Sequence, residues 1–118
     1  MSLSKFYGPY DRWEDIPPEL LTECSLSGYD FLRIIPGQSL CGLQQQIYTF
    51  DLLIGIEPNG YNGRYTFEHL YQAIDAILTW SGDGRPGNDW INHYDGAEGR
   101  MRNMQHPINK GYIGNITE

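Results

Sequence analysis

Cysteine is scarce in this chain of 118 residues and occurs only at Cys24 and Cys41. The two lie 17 positions apart and form no C-x-x-C motif, so neither a zinc knuckle nor a disulfide-dense secreted scaffold is indicated. No apolar run of about 18 residues is present, and the first residues lack the basic-then-apolar order of a signal peptide. These absences predict a soluble, cytoplasmic protein with free thiols.

Positive charge is also in short supply. Eight basic residues face fifteen acidic ones, and the resulting net charge of -7 argues against duplex nucleic acid as a partner, because it repels a long polyanion. Four of the six arginines nevertheless lie in the second half of the chain, at Arg64, Arg85, Arg100 and Arg102. An acidic body with a local group of arginines suits a small anionic ligand.

The familiar phosphate-binding loops are missing. The sequence contains no G-x-x-x-x-G-K-[ST] motif. Gly82-x-Gly84-x-x-Gly87 has the letters of a dinucleotide-binding loop, but that loop follows a strand and opens a helix. Here the glycines follow a predicted helix, whose C-terminal dipole disfavours an anion. We therefore expect no dinucleotide-binding fold.

Catalytic patterns are missing as well. His69, His93 and His106 have neither H-E-x-x-H spacing nor a carboxylate pair at metal-ligand spacing. Asp51 lies in an apolar stretch and is the one acid that stands out, with a hydrogen-bonded carboxylate at a sheet edge as the simpler interpretation. No local signature joins either cysteine to a histidine. We expect no catalytic residue, no bound metal and no cofactor, and hence no enzyme.

Short strands and tight turns are what the sequence does contain. Residues Tyr29 to Ile35 form a candidate strand that ends at Pro36-Gly37. From Ile47 to Ile56, every second residue beginning with Tyr48 is large and apolar, which predicts a strand with a core-facing side. Its other side is too apolar to be fully exposed, so we expect that side to be covered too. Two Asn-Gly pairs within residues 58–63 then predict a hairpin.

One main helix is predicted after this hairpin. Thr66 is a good N-cap residue, and Gly82 is a candidate C-cap residue. Pro17 and Pro18 suit the first turn of an additional short helix over about residues 17–22. The main helix continues to about Trp80, and its apolar stripe at helical spacing comprises Phe67, Leu70, Tyr71, Ile74, Ile77 and Leu78.

Together these patterns predict a single α+β domain over residues 1–118. Its small antiparallel sheet packs against the one main helix, about residues 67–80, and the N- and C-terminal segments are loop-rich. The tail from Tyr94 has no periodicity but keeps apolar side chains such as Met101, Met104 and Ile108. We expect the tail to dock, with a second copy of the chain as the candidate surface, which predicts a homo-oligomer.

Candidate binding residues gather in and around the loop that follows the helix. Arginine forks grip phosphates, exposed aromatic rings stack on bases, and side-chain amides hydrogen-bond to base edges. Each residue also has a structural interpretation, since tryptophan is mostly a core residue and a lone loop arginine is mostly solvated. The candidate ligand-binding residues are Arg64, Trp80, Arg85, Asn88, Trp90, Asn92, Arg100 and Arg102.

Part of the chain resembles a known family. The run GYNGRYTFEHLYQAIDAILTWSGDGRPGNDWI, followed later by His106-Pro107-Ile108-Asn109, is similar to phage-encoded anti-Thoeris sponge proteins of the first described type. The similarity covers about residues 60–92 and 106–109 and none of the first 45 residues. It implies a homo-oligomeric anti-defence protein that sequesters a nucleotide-derived immune signal, a cyclic ADP-ribose isomer or a cyclic oligonucleotide, without cleaving it. No residue role is transferred from the family.

Two other functions stay open. The first 57 residues carry eight acidic and three basic residues, which suits an inhibitor that binds a basic protein partner. Tyr7, Tyr10 and Trp13 are its candidate hot-spot residues. The second alternative is a structural or regulatory subunit that has no small ligand.

Overall fold

The computed structural model describes residues 10, 12–14, 16, 29–57, 60–96 and 99–109. Its central feature is a six-stranded antiparallel sheet in which each strand pairs with its neighbours in the sequence. The predicted antiparallel sheet with one main helix is confirmed at this level, although the sheet dominates the fold; the short helix expected over residues 17–22 lies outside the described residues. The elements are β1 (Asp30–Ile35), β2 (Ser39–Gln45), β3 (Phe50–Ile54), β4 (Gly63–Phe67), α1 (Leu70–Thr79), β5 (Trp90–Tyr94) and β6 (Arg100–Arg102).

Both faces of the sheet carry an apolar core, as the composition of the Ile47 to Ile56 stretch predicts. On one face, the helix side, α1 contacts β1 to β4, and Leu52, Phe67 and Ile77 are among the buried residues of this helix-side core. The other face holds a second core, formed by Ile16, Tyr29, Leu32, Leu40, Leu53 and Ile56. The strands in the middle of the sheet are therefore largely apolar on both sides.

Strand β3 is shorter than the predicted strand. Ile47 and Tyr48 lie in the turn before it and are 86% and 88% exposed, so the expectation that Tyr48 faces the core is wrong. Gly55 ends the strand with a φ of +65°, a conformation that glycine adopts without strain. The resulting bend interrupts the period-two alternation, and Ile56 packs in the second core instead of beside Leu52.

The main helix begins later than predicted, at Leu70. Phe67 is the last residue of β4, because pairing with β3 and β5 extends β4 to that position. Thr66 also belongs to β4, and its hydroxyl donates to Asp51 Oδ1 at 2.8 Å instead of capping the helix. The observed N-cap is His69, whose backbone N–H donates to the Gln72 side chain at 3.0 Å.

The buried side of α1 differs from the predicted apolar stripe. Ala73, Ala76 and Ile77 face the core, whereas Tyr71 is 69% and Leu78 45% exposed. Small alanines let the helix lie close to the sheet, and the larger residues at the margins of the stripe remain in solvent. Periodicity therefore indicated the helix but not which of its sides is buried against the sheet.

The helix ends at Thr79, and the C-cap is Trp80, whose backbone N–H donates to Ala76 at 2.9 Å. Gly82 is therefore not the C-cap, contrary to the prediction. Arg33 on β1 donates to the carbonyls of Ile77 and Trp80 at 2.6 and 3.1 Å. A cation at this helix end complements the dipole and satisfies carbonyls that have no partner inside the helix.

Gly82 has a different structural role. Its φ is +100°, and a Cβ at this position would collide with the carbonyl oxygen of Pro36 in the β1–β2 turn. Gln38, in the same turn, donates to the Gly82 carbonyl at 2.9 Å. The glycine thus lets the loop after α1 lie directly against the β1–β2 turn.

Substitution of Gly82 tests this contact. We expect Gly82→Ala to lower the free energy of unfolding by about 2–4 kcal/mol, because backbone atoms must move apart in addition to the unfavourable φ. Gly84→Ala is the matched control: Gly84 also has a positive φ, +63°, but open space around it, so a loss of only about 1 kcal/mol is expected. Equal losses in urea denaturation of the two variants would contradict the close contact.

Asp30, at the start of β1, is a buried acid, with 6% of its surface exposed. Burial raises the pKa of its carboxyl from 3.8 to about 6. The folded protein thus favours the protonated form, so the contribution of this group to stability is complete below about pH 4 and is lost as the pH rises through about 6.

We expect Asp30→Asn to stabilise the protein at about pH 7.5, where it removes a buried charge, and to change stability little at about pH 3.5. Thermal denaturation at the two pH values measures this difference. Asp75→Asn, at an exposed position of α1, is the control and should be nearly neutral. A stabilisation by Asp30→Asn that does not depend on pH would show that the carboxyl is not the cause.

Candidate functional site

The pairing of β4, β5 and β6 divides the predicted binding residues between the two faces of the sheet. Directly paired residues in antiparallel strands point to the same face. Arg64 pairs with Tyr94, which pairs with Arg100, and Asn92 pairs with Arg102 in the same way. These side chains share the face of the second core, because Arg64 also pairs with Leu53 of that core. We call this set the arginine face: Arg64, Asn92, Tyr94, Arg100 and Arg102.

Arg64 is held in place by its neighbours on the arginine face. Its Nη1 donates to the Tyr61 hydroxyl at 3.0 Å, and its Nε lies 3.8 Å from Asp51 Oδ2. Its Cζ atom lies 5.5 Å from the centre of the Tyr94 ring, a cation–π distance. Arg100 and Arg102 are exposed on β6, which is separated from the strand of Arg64 by β5.

The buried carboxylate of Asp51 helps to hold Arg64 in this position. It is 4% exposed, and burial raises the pKa of its carboxyl, while the Thr66 hydrogen bond, Arg64 and the Gln46 side chain oppose the shift. The prediction of a hydrogen-bonded structural carboxylate is confirmed. Asp51 lies on β3 in the interior of the sheet, however, and not at an edge.

Arg85 lies on the helix side of the sheet, whereas the three arginines of the arginine face lie on the opposite side. Its Nη1 donates to the Tyr65 hydroxyl at 3.3 Å and lies 3.2 Å from His93 Nδ1, while Nη2 contacts Met101 Sδ at 3.3 Å. Its Cζ atom is 5.4 Å from the centre of the Trp90 ring. Arg85 is exposed, as expected of a turn residue, but its guanidinium contacts side chains of the helix side and it is not a member of the arginine face.

Both tryptophans belong to the helix-side core. Trp80 and Trp90 are 5% and 6% exposed, and each packs edge-on against the Tyr65 ring. The Trp80 indole N–H donates to the Asp83 carbonyl at 2.9 Å. The hypothesis that these rings stack on a ligand base is therefore wrong in this arrangement, and the structural interpretation of both residues holds.

The two candidate asparagines also separate. Asn88 is exposed in the loop before β5, whereas Asn92 is on the arginine face. The Asn92 side-chain oxygen is buried and has no hydrogen-bond partner among the described residues. An unsatisfied buried acceptor is costly, so a donor that reaches this oxygen gains a hydrogen bond that the described residues do not supply.

Two buried amides that the sequence did not mark hold the segment after β6 against β5. Asn103 Nδ2 donates to the carbonyls of Asn88 and Trp90 at 2.9 and 2.8 Å. Asn109 Nδ2 donates to those of Ile91 and Asn103 at 2.8 and 2.9 Å. The only sequence signal is a tail rich in asparagine, without periodicity. The segment as far as Asn109 therefore lies against β5 of the same chain, but through amide hydrogen bonds: Met101, Met104 and Ile108, the apolar side chains on which the predicted docking rested, are exposed.

The segment after β6, held in this way, forms one wall of a cleft that the sequence analysis did not predict. The cleft has a volume of about 530 Å³ and lies between the start of α1, the loop before β5 and the turn after β6. Glu68, His69 and His106 line this cleft, and all three lie in the sequence ranges 60–92 and 106–109. Its lining residues are Glu68, His69, Tyr71, Gln72, Asn88, Asp89, Gln105, His106 and Pro107.

The described part of the chain contains neither a metal-ligating cluster nor an exposed thiol. No group of three or more His, Cys, Asp or Glu side chains there could hold a metal ion. Cys41 is fully buried, and burial raises the pKa of its thiol to about 12, which disfavours the thiolate that a nucleophile needs. Cys24 lies outside the described residues.

Comparison with protein families, with curated proteins and with solved structures found no match to this chain. Among the described residues, no helix has the length and apolar character needed to cross a membrane.

The contact between Arg85 and His93 generates a pH prediction. Burial, and then the charge of Arg85, lower the pKa of His93 below its ordinary value of 6.5. The folded state thus favours the neutral ring, so this group lowers stability as the pH falls below about 6.5. We expect Arg85→Gln to raise the pKa of His93 but leave it below 6.5, because burial persists. An NMR titration of the imidazole protons measures the pKa of His93 in the unmodified chain and in the variant. The same pKa in both proteins would contradict the contact.

Proposed function

We propose that the protein binds a small nucleotide-derived anion with two or more phosphates on the arginine face and holds it without cleaving it. The observation that carries this proposal is the strand register, which gives Arg64, Arg100 and Arg102 a common face. In a chain of net charge -7, three arginines on one surface form a local site for an anion that the rest of the molecule repels.

The spacing of the arginines suits more than one phosphate. Neighbouring strands lie about 4.8 Å apart, so Arg64 and Arg100, with one strand between them, have Cα atoms roughly 10 Å apart. Arg100 and Arg102 are two positions apart on one strand, roughly 7 Å. Guanidinium groups at such distances reach different phosphates of one molecule, and each makes charge-assisted hydrogen bonds of about 1.5–3 kcal/mol.

Preorganisation supports tight binding at Arg64. Asp51, Tyr61 and Tyr94 hold its side chain in one orientation, so little conformational entropy is lost when a phosphate binds. Asp51 neutralises part of the charge, yet it lies beneath the arginine and leaves the outer side of the guanidinium to the ligand. Sequestration requires slow release, which rigid charge-assisted contacts favour.

The nature of the ligand follows from the resemblance to phage anti-Thoeris sponge proteins. It favours a cyclic ADP-ribose isomer or a cyclic oligonucleotide, an anti-defence role in the cytoplasm of an infected bacterium, and a homo-oligomer. We propose binding without turnover, since the described thiol is buried and no metal-ligating cluster is found among the described residues.

Ligand binding by arginine variants tests the proposal. We expect ADP-ribose, cyclic ADP-ribose isomers or cyclic oligonucleotides to raise the midpoint of thermal denaturation. A ligand at 100 times its dissociation constant adds about 2.7 kcal/mol to the free energy of unfolding. Arg100→Gln and Arg64→Gln should each weaken binding about tenfold in calorimetry, the loss of one charge-assisted hydrogen bond. The ligand recovered after heat denaturation should be chemically intact.

Arg85→Gln is the matched control, because it removes the same charge on the opposite face of the sheet. It should leave affinity within about twofold, well under 1 kcal/mol. Loss of binding in Arg85→Gln with full binding in Arg100→Gln would assign the ligand to the helix side. No response to any ligand of the panel would exclude nucleotide sequestration.

Protein binding is a second candidate function, favoured by one observation at the β2–β3 turn. Ile47 and Tyr48 stand there almost fully exposed, and exposed large apolar residues at a hairpin tip are suited to insert into a partner's pocket. Trp13, a hot-spot candidate from the sequence, is 46% exposed, and Tyr10 is half-buried. Tyr7 lies outside the described residues. This function becomes the preferred one when the nucleotide panel gives no response.

A further inference from the structure

The cleft beside α1 has the chemistry of a second binding site, distinct from the arginine face. Its lining contains neither lysine nor arginine, but two carboxylates, Glu68 and Asp89. A phosphate-rich ligand is therefore disfavoured there by charge. Three side-chain amides, those of Gln72, Asn88 and Gln105, complete a wall that both donates and accepts hydrogen bonds. Such a wall suits a neutral ligand with several hydroxyl groups.

His106 is the observation that points to a ligand in this cleft. Its side chain lines the cleft although only 7% of the residue is exposed. The backbone N–H of Ile108 donates to its Nδ1 at 3.3 Å, so the neutral ring carries its proton on Nε2. Among the described residues, Nε2 has no hydrogen-bond partner. A fixed donor of this kind can orient a ligand hydroxyl or ring oxygen.

A flat aromatic surface stands at the start of α1. The rings of His69 and Tyr71 are stacked, with centroids 5.5 Å apart and planes 8° from parallel. Glu68 Oε1 lies 3.9 Å from His69 Nε2, beside this ring pair. Tyr71 is mostly exposed, so the ring pair offers an open apolar wall against which a sugar or base ring can lie.

We propose that this cleft binds a neutral ring bearing vicinal hydroxyl groups, either a free sugar or the ribose of a nucleoside. The Glu68 and Asp89 carboxylates accept hydrogen bonds from the hydroxyls, the His106 N–H donates, and the Tyr71 ring covers the apolar side of the ligand. The cleft volume of about 530 Å³ lies within the usual range for small-molecule sites, about 300–1,000 Å³. Neither phosphate nor the arginine face takes part.

An NMR titration of the full chain tests this inference with three probes. Adenosine, D-ribose and D-glucose are added to about 10 mM, which detects millimolar affinities, and inorganic pyrophosphate is the anion control. We expect backbone amide shifts confined to the cleft with at least one neutral probe and none there with pyrophosphate. Binding of a free sugar identifies a saccharide site, and binding of adenosine alone identifies a nucleoside site. No cleft shift with any neutral probe overturns the inference.

Matched variants assign the binding to the proposed groups. Asp89→Asn should weaken binding about tenfold and Tyr71→Ala about five- to tenfold, the loss of a charge-assisted hydrogen bond and of a ring contact. The control, Asp75→Asn on α1, removes the same carboxylate from an exposed position outside the cleft and should bind as the unmodified chain does. Unchanged affinity in both cleft variants would overturn the inference. Because adenosine and sugars lack phosphate, failure here is separate from failure of the arginine-face proposal.

Discussion

The pairing of β4 with β5 is the constraint on which the placement of the binding residues depends. Thr66 pairs with Asn92 and Phe67 with Trp90, so Ile91 is an extra residue in β5, a β-bulge. In a regular strand Trp90 and Asn92 would share one face. The bulge turns Trp90 into the helix-side core and leaves Asn92 on the arginine face. One additional residue thus separates Trp90 from Asn92.

The pairing of β5 with β6 organises the end of the described chain. The next pair in this register joins Ile91 to Asn103, and the Ile91 carbonyl accepts from the Asn103 backbone N–H and from the Asn109 side chain. These bonds hold the turn with His106 against β5 and so form one wall of the cleft. The Asn103 side chain also donates to the carbonyls of Asn88 and Trp90, so hydrogen bonds join the turn after β6 to the loop before β5.

The two candidate sites differ in charge because they draw on different parts of the sheet. The arginine face uses positions on β4, β5 and β6 that point away from the helix, where Asp51 fixes Arg64 without covering it. The cleft uses the start of α1 and two loops and carries acidic and amide side chains without arginine. A multiply charged anion and a neutral hydroxyl-bearing ring are accordingly the ligands that each chemistry favours.

Local pattern alone indicated a strand within Tyr29 to Ile35 and another within Ile47 to Ile56, although the second is shorter than predicted. It also indicated the hairpin after β3, the existence of one main helix and the second apolar face of the sheet, because each depends on neighbouring residues. The start of the helix, the burial of Trp80 and Trp90, the turn of Arg85 toward His93 and the cleft were decided only by tertiary structure. Each of these depends on register, on a bulge or on contacts between residues far apart in the chain, such as Gly82 with Pro36. Side-chain type indicated which groups could bind a ligand, but strand pairing decided which of them share a surface.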